Sequence, residues 1–149
     1  MKHKRINTEK LDQDISGVFD KYNAFYAFSK EQVKENLKEN IYYVQRHSLF
    51  IEAGKEDDFD LELEKAYKNY RAEVIKNYTK EEIIMDSLLN HACFYDRSDL
   101  DRAIDYVKQF NITEEEVLKF FETQLKIYKE TDEDVFFGNA DEDVFFNNN

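Results

Sequence analysis

The chain has 149 residues, of which 15% are aromatic and 36% charged, with no proline, one cysteine and a formal charge of −12. That length supplies one hydrophobic core and is short for two ordinary domains, and the net negative field repels nucleic-acid backbones and favours basic partners. Gly17, Gly54 and Gly138 are too dispersed for a dinucleotide fingerprint or a phosphate-cradling loop, and the lone Cys93 excludes an intrachain disulfide and a zinc site built on cysteines.

The first ten residues are basic, with Lys2, Lys4, Arg5 and Lys10 against Glu9. The N-terminus is polar, without the apolar stretch of a signal peptide, and no run approaches the roughly 20 apolar residues of a membrane span. The expectation is a cytoplasmic protein with no membrane partner. Thr8 predicts the N-cap of a helix to about Tyr22, with Leu11, Ile15, Val18, Phe19 and Tyr22 on one stripe. Ala24 to Phe28 is short, aromatic and bounded by Asn23 and Ser29, which predicts a buried strand. Ser29 with Gln32 predicts a capping box for a short helix over 30–38. Ile41 to Ala53 is rich in β-formers and broken at Arg46-His47-Ser48, predicting two more short strands.

Helical periodicity begins after Gly54. Phe59, Leu63, Tyr67, Tyr70, Val74 and Tyr78 recur every three or four residues, predicting a helix over 56–78 whose stripe, tyrosines included, faces the core. The same helix opens with an acidic run, in which Glu52 to Glu64 holds seven carboxylates against Lys55. Thr79 with Glu82 predicts a capped helix to about His91. Ser98 predicts a second cap, before inward Leu100, Ala103, Ile104 and Val107. Thr113 with Glu116 predicts a third, before inward Val117, Phe121, Leu125 and Tyr128. The fold class expected is helix-dominant α+β: a two- or three-stranded antiparallel sheet packed with about four to six helices in one globular domain, residues 1–130.

From 131 to 149 the composition changes. Asp-Glu-Asp-Val-Phe-Phe occurs at 132–137 and again at 141–146, so this segment carries six carboxylates and no Lys or Arg. Two such short copies do not make a solenoid. They read as a disordered acidic-aromatic tail with a duplicated linear element. Asp132, Asp134, Asp141 and Asp143 would steer it toward a basic rim, and Phe136, Phe137, Phe145 and Phe146 would anchor it in apolar pockets.

Catalytic and metal chemistry find little support. An EF-hand loop opened at Asp132 would set Phe136 and Phe137 where a ligand and the turning glycine belong, and Asp58, Asp60 and Glu62 lack that glycine too. No cofactor and no metal site is expected. His91 and Cys93 are the one suggestive pair, but side chains two residues apart on a helix diverge by about 200°. A deaminase pattern would need glutamate at position 93, a proline and a second cysteine. If the protein is an enzyme, its site would group His91, Cys93, Tyr95 and Asp96. The bland alternative is that His91 bonds near a helix end and Cys93 fills the core.

Three segments, Asn23-Ala24-Phe25-Tyr26-Ala27-Phe28-Ser29, Asn90-His91-Ala92-Cys93-Phe94-Tyr95-Asp96 and Ile112-Thr113-Glu114-Glu115-Glu116-Val117, resemble a group of small, mostly uncharacterised acidic proteins of bacteriophages and mobile elements. That pattern has glycine at position 23 and glutamate at position 92, where this chain has Asn and Ala. The resemblance implies an accessory role in a bacterial host cell, such as modulation of host machinery or counter-defence. With the residue-level reading it points to a non-enzymatic protein that binds a partner with a basic, partly apolar surface, nucleic-acid mimicry being one version. A small enzyme working around His91 is the alternative.

Overall fold

The computed structural model describes residues 4–131, with side chains described as far as Ile127. Within them lie six α-helices and a three-stranded antiparallel sheet, the helix-dominant α+β class that the periodicities predict. The contacts fall into two compact units. Among the described residues, Asn7–Glu73 forms a sheet unit, and residues 4–6 with 74–131 form a helical unit.

In the sheet unit, α1 (Glu9–Lys21) leads into β1 (Phe25–Tyr26), α2 (Lys30–Asn36), β2 (Tyr43–Arg46), β3 (Leu49–Glu52) and α3 (Glu56–Asn77), whose last residues belong to the helical unit. α1 starts after Thr8, as expected, but its side-chain cap comes from one residue earlier. Thr8 makes no side-chain cap bond, and Asn7 Oδ1 instead accepts the Glu9 N–H at 2.8 Å. Asn23, at the turn after α1, holds φ 54, a conformation that Asn tolerates better than most residues. The strand order is β1-β3-β2, with Phe25 opposite Phe50, Tyr26 opposite Leu49 and Val44 opposite Ile51. Alternation then sorts the side chains. Ile51 and Leu49 turn toward a core of Val18, Tyr22 and Phe59, while Phe25 stacks on Phe50 at 5.0 Å and meets Tyr43 edge-on at 5.4 Å on the other face.

Two expectations for this unit need correcting. The segment 24–28 is not a buried strand: only two residues pair, and Tyr26 and Phe28 are 55% and 76% exposed. Its place at the sheet edge leaves one side without a neighbouring strand. The tyrosine stripe of α3 is also uneven, because Tyr70 is buried while Tyr67 is 39% exposed. Cap chemistry at α2 holds in modified form. Ser29 Oγ accepts the Gln32 N–H at 3.2 Å, but Gln32 Oε1 accepts from Phe28 N–H at 2.7 Å, one residue before the usual partner.

In the helical unit, α4 (Lys80–Asn90), α5 (Leu100–Val107) and α6 (Glu114–Thr131) follow α3. The boxes at α4 and α6 close in both directions. Thr79 N–H donates to Glu82 Oε1 at 2.9 Å and Glu82 N–H to Thr79 Oγ1 at 3.1 Å, and Thr113 and Glu116 repeat the exchange at 2.9 and 3.2 Å. Ser98 is not the cap of α5. It sits in a 3-10 turn, Arg97–Asp99, where Asp96 Oδ1 accepts its N–H at 3.0 Å. The side-chain cap is thus a carboxylate two residues upstream, at the opening of the 3-10 turn that leads into α5. Ile83, Leu88, Ala103, Ile104, Val107, Val117 and Phe121 line the core as the stripes require. Leu100 and Leu125 are half-buried, and the Tyr128 side chain lies outside the described ones.

Candidate functional site

The His91 segment owes its shape to the end of α4. His91 N–H bonds Ser87 O at 3.1 Å, Ala92 N–H bonds Leu89 O at 3.1 Å and Cys93 N–H bonds Leu88 O at 2.9 Å. The last two are the 5→2 and 6→1 bonds of a Schellman motif, which requires a left-handed residue at position 92. Ala92 supplies it with φ 53. The motif's hydrophobic contact falls to Cys93 and Leu88, both without solvent exposure.

Each residue of the segment is thereby engaged. The His91 Nδ1–H donates to the Ser87 carbonyl at 2.8 Å, and the ring lies 6.4 Å from Tyr106. Burial pushes the Cys93 thiol up to about 11, with Asp99 and Asp96 adding to the rise, so at neutral pH it is a thiol and not the thiolate a nucleophile needs. Asp96 is held below its usual range by the two bonds from Ser98. Tyr95 projects into solvent at 68% exposure. Of the four, His91 ends a helix, Cys93 fills the core and Asp96 opens a 3-10 turn. Among the described residues, no three His, Cys, Asp or Glu side chains group as a metal would need.

The acidic run on α3 is partly neutralised. Arg46 makes two hydrogen bonds to Asp60, at 2.8 and 3.2 Å, and Lys55 pairs with Glu52 at 3.4 Å. Glu62 takes Lys21 at 2.7 Å and a short bond from the Tyr22 hydroxyl, which together hold its carboxyl below the usual range. The first-turn residues Glu56, Asp57 and Asp58 sit where the helix dipole favours negative charge.

A feature that the periodicity did not reveal lies at the sheet edge. Phe19, Tyr26 and Phe28 form a row, with ring centroids 5.5 Å apart for the first pair and 6.4 Å for the second, the latter nearly parallel at 7°. Beside them runs an open groove of about 360 Å³ lined by Asp12, Ile15, Ser16, Phe19 and Tyr26. The available signal was the i, i+2 spacing of Tyr26 and Phe28, which puts both on one face of a strand too short to cover either. The tail residues expected to bind a partner, Asp132, Asp134, Phe136, Phe137, Asp141, Asp143, Phe145 and Phe146, lie outside the described residues.

Residues 7–131 match the model of DUF7659, a family of unknown function. Comparison with curated proteins and with solved structures gives no match. The matched stretch contains both the edge row and the His91 segment, and ends where the acidic-aromatic tail begins.

Proposed function

We propose that this chain, which belongs to the DUF7659 family, is a non-enzymatic phage or mobile-element accessory protein that binds and modulates a host or phage protein. The partner surface it fits is basic and partly apolar. The observation that carries this reading is the row of Tyr26 and Phe28 held in water beside a groove with a carboxylate at its wall. Large aromatic side chains left exposed at 55% and 76% on ordered backbone gain roughly 1.5–3 kcal/mol each only when something covers them. The net charge of −12 favours a basic cover and speeds its approach.

The phage or mobile-element assignment rests on the three resembling segments, and counter-defence is one form the modulation would take. Nucleic-acid mimicry is the less favoured form. Arg46, Lys21 and Lys55 each neutralise a carboxylate of the run from Glu52 to Glu64, which breaks the even negative spacing that a phosphate backbone presents. The enzyme alternative loses ground because His91, Cys93 and Asp96 are occupied in local structure.

The test is affinity capture from bacterial host lysate with the full chain as bait, read by mass spectrometry at low and at raised salt. A small reproducible set of proteins with basic surface, retained at low salt and released as salt rises, is the expected result. Recovery of nothing above an unrelated acidic bait would sink the reading.

A further inference from the structure

We infer that the open edge of β1 and the groove beside it take a short extended segment of the partner protein, in which a Lys or Arg stands next to an aromatic or branched aliphatic residue. The inference rests on the binding reading above and assigns it a surface.

The backbone defines the geometry of the occupant. In an antiparallel pair, residues alternate between those that bond the partner strand and those whose N–H and C=O point away. Ala27 N–H bonds Ser48 O at 2.9 Å, so Phe25 and Ala27 face β3. Tyr26 therefore turns its N–H and C=O to the outer edge, which no strand of the described residues covers, since the other side of β3 is taken by β2. The neighbouring outward donors are already satisfied within the chain. Ala24 N–H goes to Phe19 O at 2.8 Å and Phe28 N–H to Gln32 Oε1 at 2.7 Å. The edge is thus closed on both sides of a one-residue opening. Protein edges are usually blunted against uncontrolled pairing, and here the blunting leaves a window that fits a short extended segment better than a long strand.

The side chains define its chemistry. A segment paired at Tyr26 directs alternate residues onto the face shared by Tyr26, Phe28 and Phe19, above the groove walled by Ile15 and Ser16. One large apolar side chain fits there. Asp12 lies in the same wall without an ion pair among the described residues, because the nearby Lys10 is committed to Asp14 at 3.1 Å. A cation next to the apolar residue would meet that carboxylate and also the rings, whose faces attract cations. A second copy of this chain is a poorer occupant, since it would bring its own Asp12 and acidic surface against the first.

The test is selection of random ten-residue displayed peptides on the full-length protein, followed by fluorescence polarisation with the enriched peptides. Enriched sequences should carry Lys or Arg beside Phe, Tyr, Ile or Val. Their affinity should fall at least tenfold for Phe28→Ser and for Asp12→Lys, both solvent-exposed positions, with circular dichroism unchanged. A single N-methyl group on the peptide residue opposite Tyr26 should weaken binding similarly, which side-chain contacts alone would not require. No enrichment, or enriched peptides that bind the two variants as well as the parent, overturns the assignment. So does a concentration-dependent dimer in sedimentation that Phe28→Ser abolishes, which would give the surface to a second copy. If lysate capture succeeds and survives Phe28→Ser, the binding reading stands and this surface falls; if lysate capture fails while peptides bind as described, the reverse holds.

Discussion

In the helical unit Phe94, Phe110 and Phe121 are all buried, whereas in the sheet unit Tyr26, Phe28 and Tyr42 stand in water beside a core built on Val18, Tyr22, Ile51 and Phe59. Both units bury aromatic rings, but the sheet unit leaves several in water where the helical unit leaves Tyr95. The cause is element length. A helix of 11 or 18 residues, such as α4 or α6, returns its stripe to the core at every turn. A strand of two or four residues has one or two inward positions per face, and the rest must find another cover or remain exposed. Display is therefore a property of the sheet edge, and it is where partner recognition is proposed.

The largest effects should separate packing from display. Phe121→Ala removes a ring with no solvent exposure and should cost about 3–5 kcal/mol, as should Phe59→Ala in the sheet unit. Phe28→Ala, from an equally large side chain, should stay within about 0.5 kcal/mol. Urea unfolding followed by circular dichroism measures all three. A loss of more than about 1 kcal/mol for Phe28→Ala would mean that the row is covered in solution, and the comparison would break.

The helices and their caps were legible in the sequence because those signals are local. Thr79 with Glu82 and Thr113 with Glu116 each need only four residues to declare themselves, and the stripes of α4 and α6 follow. The aromatic edge was not legible, since whether Tyr26 and Phe28 are covered depends on strand order, and an order of β1-β3-β2 leaves β1 outermost. Ser98 misled because a competing acceptor, Asp96, sits two residues away. The His91 segment looked chemical because His, Cys, Tyr and Asp adjoin, while the backbone needs of a helix end explain most of it.

The tail offers a rival display surface. Because α6 continues to Thr131, the clean variant starts at Asp132. Removing 132–149 should leave the melting temperature within a degree or two, on the order of what a surface change gives. Changing Phe136, Phe137, Phe145 and Phe146 to Ala keeps every charge. If the tail is the recognition element, capture of host proteins drops sharply in that variant while the fold survives. If the captured set is unchanged, recognition belongs to the family-matched body, and the sheet edge becomes the candidate.

Acid should weaken both units through their inter-element ion pairs. In the helical unit, the Lys80 ammonium and the Thr113 backbone N–H hold the Glu116 carboxyl down to about 2. A carboxyl whose native value lies below its ordinary 4.5 binds its proton more readily when unfolded. The stabilisation is therefore complete above about pH 4.5 and is lost progressively as pH falls toward 2. Glu62 acts in the same direction in the sheet unit through Lys21 and the Tyr22 hydroxyl. Melting temperature followed from pH 6 to 2.5 should fall, and less steeply in Glu116→Gln. An unchanged slope in that variant would show that Lys80 does not hold the carboxylate in solution.

The smallest effect tests the account of the His91 segment. Ala92 holds φ 53 to complete the Schellman motif, and an L-residue with a Cβ there is strained by roughly 1–2 kcal/mol. Glycine removes the strain but adds freedom to the unfolded chain, which offsets about 0.4–1 kcal/mol. Ala92→Gly should therefore raise stability by up to about 1 kcal/mol, measured by urea unfolding. The substitution touches no side chain of His91, Cys93, Tyr95 or Asp96, so a purely structural segment gains stability and changes nothing in partner capture. A gain in stability with a loss of captured partner would mean that the strain is kept for function. Recognition would then have to include the end of α4, and the division between a packed unit and a displaying one would no longer hold.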